Sequence, residues 1–279
     1  MTKTVRLSAL RCLQYEVAFN GLKILKETIN DLSLWRLIEY PWCSTALDLH
    51  KGDLVLDIGT GTATFPQMLA REGVHTVVLE LDADRVRWQR EKTERVTRPG
   101  DGRVYAVVAD ATALPIKSGA GKRVSAISSL EHIPDDVAVG QEIGRVLADQ
   151  GVAVITLPYT RTERTGFFQG IRTFKKVAPN AFVQEGKAGS FFRFYNDQAL
   201  EDVYIEPSGG EVVQWGAYGR RVLNGMYHET KLTKYWRTFV LKDLLLAWLV
   251  HPLEERFGRA TEPLYVMFKI VKRREADHG

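Results

Sequence analysis

Apolar positions along this chain change period several times, and the changes divide it. From Asp53 to Tyr159 the short apolar runs LVLDI, HTVVLE, VYAVV, VSAI and VAVITLP alternate with segments whose apolar residues recur every three or four positions. That order of strand, helix, strand, helix, strand, loop, strand, helix, strand predicts parallel strands joined by right-handed crossovers, a doubly wound (Rossmann-like) α/β sheet. The helix after the fourth run carries Val139, Ile143, Val146 and Leu147 on one face, as a helix covering a sheet does. Residues 1–50 read as a helical extension: GLKILKETI and LWRLIEY have helical spacing, and Pro41 is expected to end the second.

After Tyr159 the pattern changes. Residues 161–192 show no clear strand; Arg161, Arg164, Arg172, Lys175, Lys176 and Lys187 are interleaved with Phe167, Phe168, Phe174 and Phe182. This is either a solvated helical face with its buried stripe or a clamp for an anionic, partly apolar ligand. Residues 193–279 contain two more strand-like runs, EVVQWGAYG and EPLYVMFKIV, separated by a helical insertion near 228–257. The expected organisation is therefore an extension over 1–50, a core over 51–160, a basic and aromatic insertion over 161–192, and the remainder of the fold over 193–279.

Composition narrows the class. With 279 residues, 45% of them apolar, the chain can bury a core of its own. A net charge of +4 falls far short of a nucleic-acid-binding signature and leaves room for an anionic small molecule. Cys12 and Cys43 are too few for a disulfide framework, so a reducing cytoplasmic setting is expected. The longest nearly apolar stretch, Leu244 to Val250, is too short to span a bilayer, leaving peripheral membrane contact as the remaining option.

Chemistry concentrates where the strands end. LVLDIGTGTATF, Leu54 to Phe65, is a strand closing in an acid and running through Gly59 and Gly61 into a helix. Glycines there let a ligand approach the backbone, and the N–H groups opening the next helix face the turn. Glu80 ends the next strand about twenty residues on, where an acid can accept hydrogen bonds from both ribose hydroxyls. Asp110-Ala111 follows the third run, positioned to meet an adenine edge, and SSLEHIPDD follows the fourth.

As a set these residues resemble the class I S-adenosylmethionine-dependent methyltransferases, in particular the small-molecule branch with a "LEHI" box, over roughly residues 50–160. The resemblance implies that Asp57, Gly59, Thr60 and Gly61 hold the methionine part of S-adenosyl-L-methionine. It further implies that Glu80 with Leu81 meets the ribose, Asp110 with Ala111 meets the adenine, and Ser128 borders the site. Arg145 to Tyr159 looks like the family's turn into a fifth strand, and the last apolar run like its antiparallel seventh strand, inserted between five and six. Ala63 replaces a third glycine, and Gly121-Lys122 stands where relatives often carry an aromatic-Asp pair. In relatives an N-terminal extension commonly covers the cofactor mouth, which makes Glu39, Tyr40 and Trp42 lid candidates; alternatively Trp42 and Leu47 pack a helix onto the sheet edge.

The expected reaction is methyl transfer to oxygen, at a hydroxyl or carboxyl of a glycan, lipid or secondary metabolite, which needs alignment, exclusion of water and, for a hydroxyl, a base. His132 is the candidate base, Tyr159 and Tyr195 the candidate orienting phenols, each with a structural alternative. No metal is expected: a site made of Glu131 and His132 alone would be under-liganded, because Ser128 stands where metal-using relatives carry a further carboxylate. Three other readings stay open. A non-catalytic cofactor-binding protein would bind without turnover. An NAD-dependent oxidoreductase would want Gly or Ala where Thr64 stands, and an aminopropyltransferase would want an acidic pair near the fourth strand.

Overall fold

A computed structural model of the protein describes residues 4–20, 36–164, 167–169, 172–184, 190–220 and 263–274. Strand β1 (Thr4–Val5) pairs antiparallel with β2 (Leu49–His50), and between them lie helices α1 (Ala9–Asn20) and α2 (Arg36–Ala46). GLKILKETI and the insertion near 228–257 lie outside the described residues. Helix α2 runs through Pro41 instead of ending there. Burial of Leu37, Tyr40, Cys43 and Ala46 outweighs the local penalty of the missing N–H, and the Pro41 carbonyl accepts from the hydroxyls of Ser44 and Thr45.

The core then follows the expected alternation: β3 (Leu54–Ile58), α3 (Phe65–Arg71), β4 (His75–Glu80), α4 (Ala83–Val96), β5 (Val104–Val108), β6 (Gly121–Ile127), α5 (Asp136–Val146) and β7 (Leu147–Pro158). Strands β3 to β7 are parallel neighbours in the order β7-β6-β3-β4-β5. Both faces are covered, so successive residues of one strand enter different cores. Val55, Val152 and Val154 pack with α1, α2 and α3, whereas Leu56, Ile58, Ala153 and Ile155 pack with α5. Gly140 lets α5 press on the backbone beyond it: a Cβ there would lie 1.8 Å from the Val203 carbonyl oxygen.

Residues 161–192 correct the sequence reading. They hold strands, β8 (Phe167–Gln169), β9 (Arg172–Ala178), β10 (Ala181–Gln184) and, extending past the expected boundary, β11 (Phe191–Arg193), in a separate antiparallel sheet. Phe182, Phe192 and Phe194 with Phe174 give this sheet a small core of its own. A register shift at Ala181/Phe182 interrupts the alternation that would have revealed it. Helix α6 (Asp197–Leu200) and a wide turn, Glu201–Ile205, lead to β12 (Gly210–Arg220), and β13 (Pro263–Lys272) completes the main sheet. Strand β13 lies antiparallel between β7 and β12, as the family resemblance implies.

At the opposite edge β5 has no outer neighbour in the sheet among the described residues. Its Arg103 carbonyl and Ala109 N–H point inward to β4, so Ala106 between them presents its carbonyl outward. Arg90 of α4 donates to that carbonyl from Nε (3.1 Å) and Nη2 (2.7 Å).

Candidate functional site

Strand order reverses between β3 and β6, adjacent in space and far apart in sequence, so a crevice opens beyond their carboxyl ends. A cleft of about 1670 Å³ lies there. That exceeds the roughly 300–1,000 Å³ of a single-ligand pocket and leaves space for a cofactor with an acceptor beside it. Gly59, Thr60 and Gly61 line it from the first loop, and Glu80 and Leu81 from the second. Asp110, Ala111, Ser128 and His132 complete the set brought together from distant parts of the sequence.

Asp57 does not line the cleft; it shapes it from behind. Its carboxylate accepts from Thr60 Oγ1 and Ser125 Oγ, each at 2.5 Å, which ties the glycine turn to β6. Burial pushes this carboxyl up to about 6, against the two hydroxyl hydrogen bonds, which pull it down. Glu80, 6% exposed, accepts from the Gly61 N–H at 2.8 Å and from the Asp82 N–H at 3.2 Å. An ionised carboxylate offers about four lone-pair directions, so two backbone donors leave about two free for a ligand at the cleft wall. Asp110 is turned into its own loop, where one oxygen accepts from the Thr112 N–H (2.9 Å) and hydroxyl (2.7 Å), and these bonds hold its carboxyl low. The missing Cβ of Gly61 faces open space, with Arg85 Nη1 3.9 Å away the nearest atom. Leu81, Ala111 and Ile133 add apolar surface. A polar turn, an acid with free acceptor capacity and an apolar flank together fit S-adenosyl-L-methionine.

Sequence reasoning missed the groups that fasten the turn from the helix side. Gln89 of α4, fully buried, donates from Nε2 to the carbonyls of Gly61 (3.0 Å) and Ala63 (2.9 Å). Lys92, one turn further on, is 2% exposed and donates to Thr64 Oγ1 at 2.9 Å, with its ammonium 4.3 Å from the centre of the Trp88 ring. The pattern hides both, because a glutamine and a lysine on a helix normally read as solvated.

Burial lowers the Lys92 ammonium to about 8, with Glu16 opposing the shift. Between about pH 8 and the ordinary lysine range the unfolded chain holds a proton that the folded chain has released. Stability from this group is thus present at high pH and lost as pH falls through about 8, by on the order of 3 kcal/mol. Denaturant titrations should show wild type gaining on Lys92→Met between about pH 8 and 10.5; parallel curves would remove this assignment.

His132 sits in the short turn Leu130–His132 beyond β6, exposed on the cleft, its ring edge-on to Phe192. Its Nδ1 lies 3.1 Å from the Phe191 carbonyl oxygen. A carbonyl only accepts, so this is a hydrogen bond when Nδ1 carries the proton, and Nε2 then keeps its lone pair. Glu131 is buried instead: it is 2% exposed, burial pushes its carboxyl up, and Oε2 has no hydrogen-bond partner among the described residues. The two neighbours therefore do not present a joint ligand pair.

The two phenols are corrected. Tyr195 is fully buried, its hydroxyl bonded to Asp136 (2.9 Å) and Tyr204 (3.1 Å). Tyr159, 5% exposed, donates to Asp197 at 2.9 Å. Neither lines the cleft, because both close the packing between β7 and the following turn. The proposed clamp is likewise engaged elsewhere: Lys176 pairs with Glu163, Arg164 lies over the Phe194 ring at 4.0 Å, and neither they nor Arg161 and Lys175 line the cleft. The Arg172 side chain lies outside the described residues.

In the extension, the packing alternative accounts for Trp42 and Leu47. Leu47 is fully buried, and Trp42 lies so close to β12 that a Cβ on Gly216 would come 2.7 Å from its Nε1. Tyr40, 2% exposed, packs on Phe65. Glu39, 1% exposed, is no lid residue but the centre of a buried polar cluster. Its Oε1 accepts from Ser128 Oγ (2.6 Å), Thr156 Oγ1 (2.8 Å) and Tyr218 OH (2.8 Å), and its Oε2 pairs with Arg36 at 2.8 Å.

Residues 56–155 match the family described as methyltransferase domain. A demethylmenaquinone methyltransferase of Mycobacterium sp. (strain KMS) is 27% identical over 201 residues, covering 68% of this chain and 81% of the relative. A SAM-dependent methyltransferase of Methanosarcina mazei superposes with a TM-score of 0.56 at 14% identity, over 81% of this chain and 95% of that one. Phosphoethanolamine N-methyltransferase 2 of Haemonchus contortus, in complex with S-adenosyl-L-methionine, gives 0.54 at 16% identity, over 96% of this chain and 60% of that one. Among the described residues no helix is long and apolar enough to cross a membrane.

Proposed function

Because the chain is a class I S-adenosylmethionine-dependent methyltransferase, we propose that it methylates a small molecule at a hydroxyl oxygen, with His132 as the base. The observation that carries this reading is the His132 ring: Nδ1 is held by the Phe191 carbonyl, which directs basicity to Nε2 on a side chain that lines the cleft. The cofactor supplies an electrophilic methyl group on a sulfonium, whose charge disappears as the acceptor attacks. Glu80 and the glycine turn hold it, Asp57 and Gln89 fix that turn, and the loop of Ser128 and His132 forms the wall against which an acceptor lies. His132 takes the hydroxyl proton as the oxygen becomes nucleophilic, the part of the reaction that alignment alone does not supply.

The quinone-related name of the curated relative supports a second acceptor within the same chemistry. In a hydroquinone, loss of a hydroxyl proton raises the nucleophilicity of the oxygen and of the neighbouring ring carbon alike, so His132 serves either outcome. Product analysis with a labelled methyl donor separates them.

His132→Asn should lower turnover by at least about 10²-fold while S-adenosyl-L-methionine affinity stays near wild type. A change below tenfold, measured by single-turnover kinetics on the identified acceptor, would return His132 to a structural role. Cofactor binding with no turnover on any acceptor would favour a non-catalytic binding protein instead.

A further inference from the structure

Ser128 is the non-glycine residue in this cleft that stands out by its backbone. Its φ is +46°, in the left-handed region that residues bearing a Cβ avoid. It follows directly on β6 and precedes Ser129, whose hydroxyl donates to the Ile58 carbonyl at 2.8 Å beside the glycine turn. The conformation at Ser128 therefore sets how the wall of the cleft meets the turn. Serine does not favour it, so something else must hold it.

Two sets of bonds do. The Ser128 N–H donates to the carbonyl (3.1 Å) and hydroxyl (2.9 Å) of Thr156 on β7, and the Ser128 hydroxyl donates to Glu39 at 2.6 Å. Glu39 is itself fixed from three other directions, by Thr156, by Tyr218 of β12 and by Arg36, whose Nη1 also reaches the Ile127 carbonyl at 3.3 Å. A carboxylate so surrounded cannot swing to follow a relaxing serine. The N-terminal extension thus reaches through Glu39 into the cofactor wall, 89 residues away in sequence.

We propose that Glu39 is a positioning residue for cofactor binding: through the Ser128 hydroxyl it holds Ser128 in its left-handed conformation and so preorganises the cleft. The role of Ser128 oxygen is then to be pulled, not to touch the cofactor. This inference rests on the cofactor occupying the cleft beside Ser128.

Serine substitutions separate the two roles. Ser128→Ala keeps the Cβ and loses the restraint, so S-adenosylhomocysteine should bind about tenfold more weakly. Ser128→Gly also loses the hydroxyl but adopts positive φ freely, so its affinity should stay within about twofold of wild type. Glu39→Gln should weaken binding about tenfold in the wild-type background and by less than about twofold in the Ser128→Gly background. Tyr218→Phe, which removes a different bond to Glu39, should leave affinity within about twofold. Calorimetry on the full chain, with melting temperatures taken alongside, reads all of these. Equal losses for Ser128→Ala and Ser128→Gly would mean that the hydroxyl contacts the cofactor itself and would overturn the proposal. So would an unchanged affinity in Glu39→Gln. If Glu39→Gln does not fold, the two serine variants decide the matter alone. Undetectable binding by the wild-type protein would instead overturn the placement of the cofactor in this cleft.

Discussion

Glu80→Ala is expected to weaken S-adenosyl-L-methionine binding by about 10²- to 10⁴-fold, the largest loss of affinity from any single side chain in the cleft. Two effects add. With the ribose placed against Glu80 as proposed, its hydroxyls lose a charged acceptor, each such bond contributing roughly 1.5–3 kcal/mol. The Gly61 N–H, held by Glu80 at 2.8 Å, is released as well, and the turn that faces the methionine end loosens. Arg85, 3.8 Å from Glu80, also loses its neighbouring carboxylate. Glu80→Gln, which keeps an acceptor oxygen, should fall between the alanine variant and wild type. Calorimetric titration checks the series; undiminished binding by the alanine variant would remove Glu80 from the cofactor site.

The second large effect concerns stability and separates two glycines that look equivalent in sequence. Gly59 has φ +69°, and a Cβ there would lie 2.7 Å from Ser129 Cβ and 3.0 Å from its hydroxyl. Gly59→Ala therefore combines left-handed strain of about 1–2 kcal/mol with overpacking of about 1–3 kcal/mol, for a total of roughly 2–5 kcal/mol. Gly61, at φ +59°, carries only the strain, because its Cβ would enter open space. In urea denaturation the first variant should be the less stable by at least about 1 kcal/mol, while Gly61→Ala should show its defect in cofactor affinity. Equal destabilisation of the two would mean that Ser129 yields without cost. The sequence motif suggests that both glycines are bare for the ligand; the structure assigns Gly59 chiefly to packing between the loops beyond β3 and β6.

This contrast shows where sequence reading succeeds. The strand order, the covering helix with Val139 and Ile143, and the gathering of Glu80, Asp110, Ser128 and His132 at one rim are legible because period and spacing are local properties. What escapes is set by partners distant in sequence. Glu39 reads as a lid candidate until Ser128, Thr156 and Tyr218 close round it. Tyr195 reads as a rim phenol until Asp136 and Tyr204 take its hydroxyl. The sheet around β9 is obscured because lysines occupy positions between its phenylalanines and a register shift breaks the count. Pro41 fails as a stop signal because burial along α2 outweighs a single lost N–H.

The guanidinium of Arg90 on the Ala106 carbonyl has a consequence for crowded solution. Strand β5 exposes Tyr105, Val107 and Val108 along an edge unpaired among the described residues, the composition that recruits a passing strand and starts aggregation. An incoming chain pairing along the whole edge would need the outward carbonyl of Ala106 for one rung, and that oxygen already receives two N–H donors from a positive charge. Arg90 thus places a charge and an already occupied acceptor on this edge, the kind of feature by which a neighbouring helix makes an apolar outer strand a poorer template for its own copies.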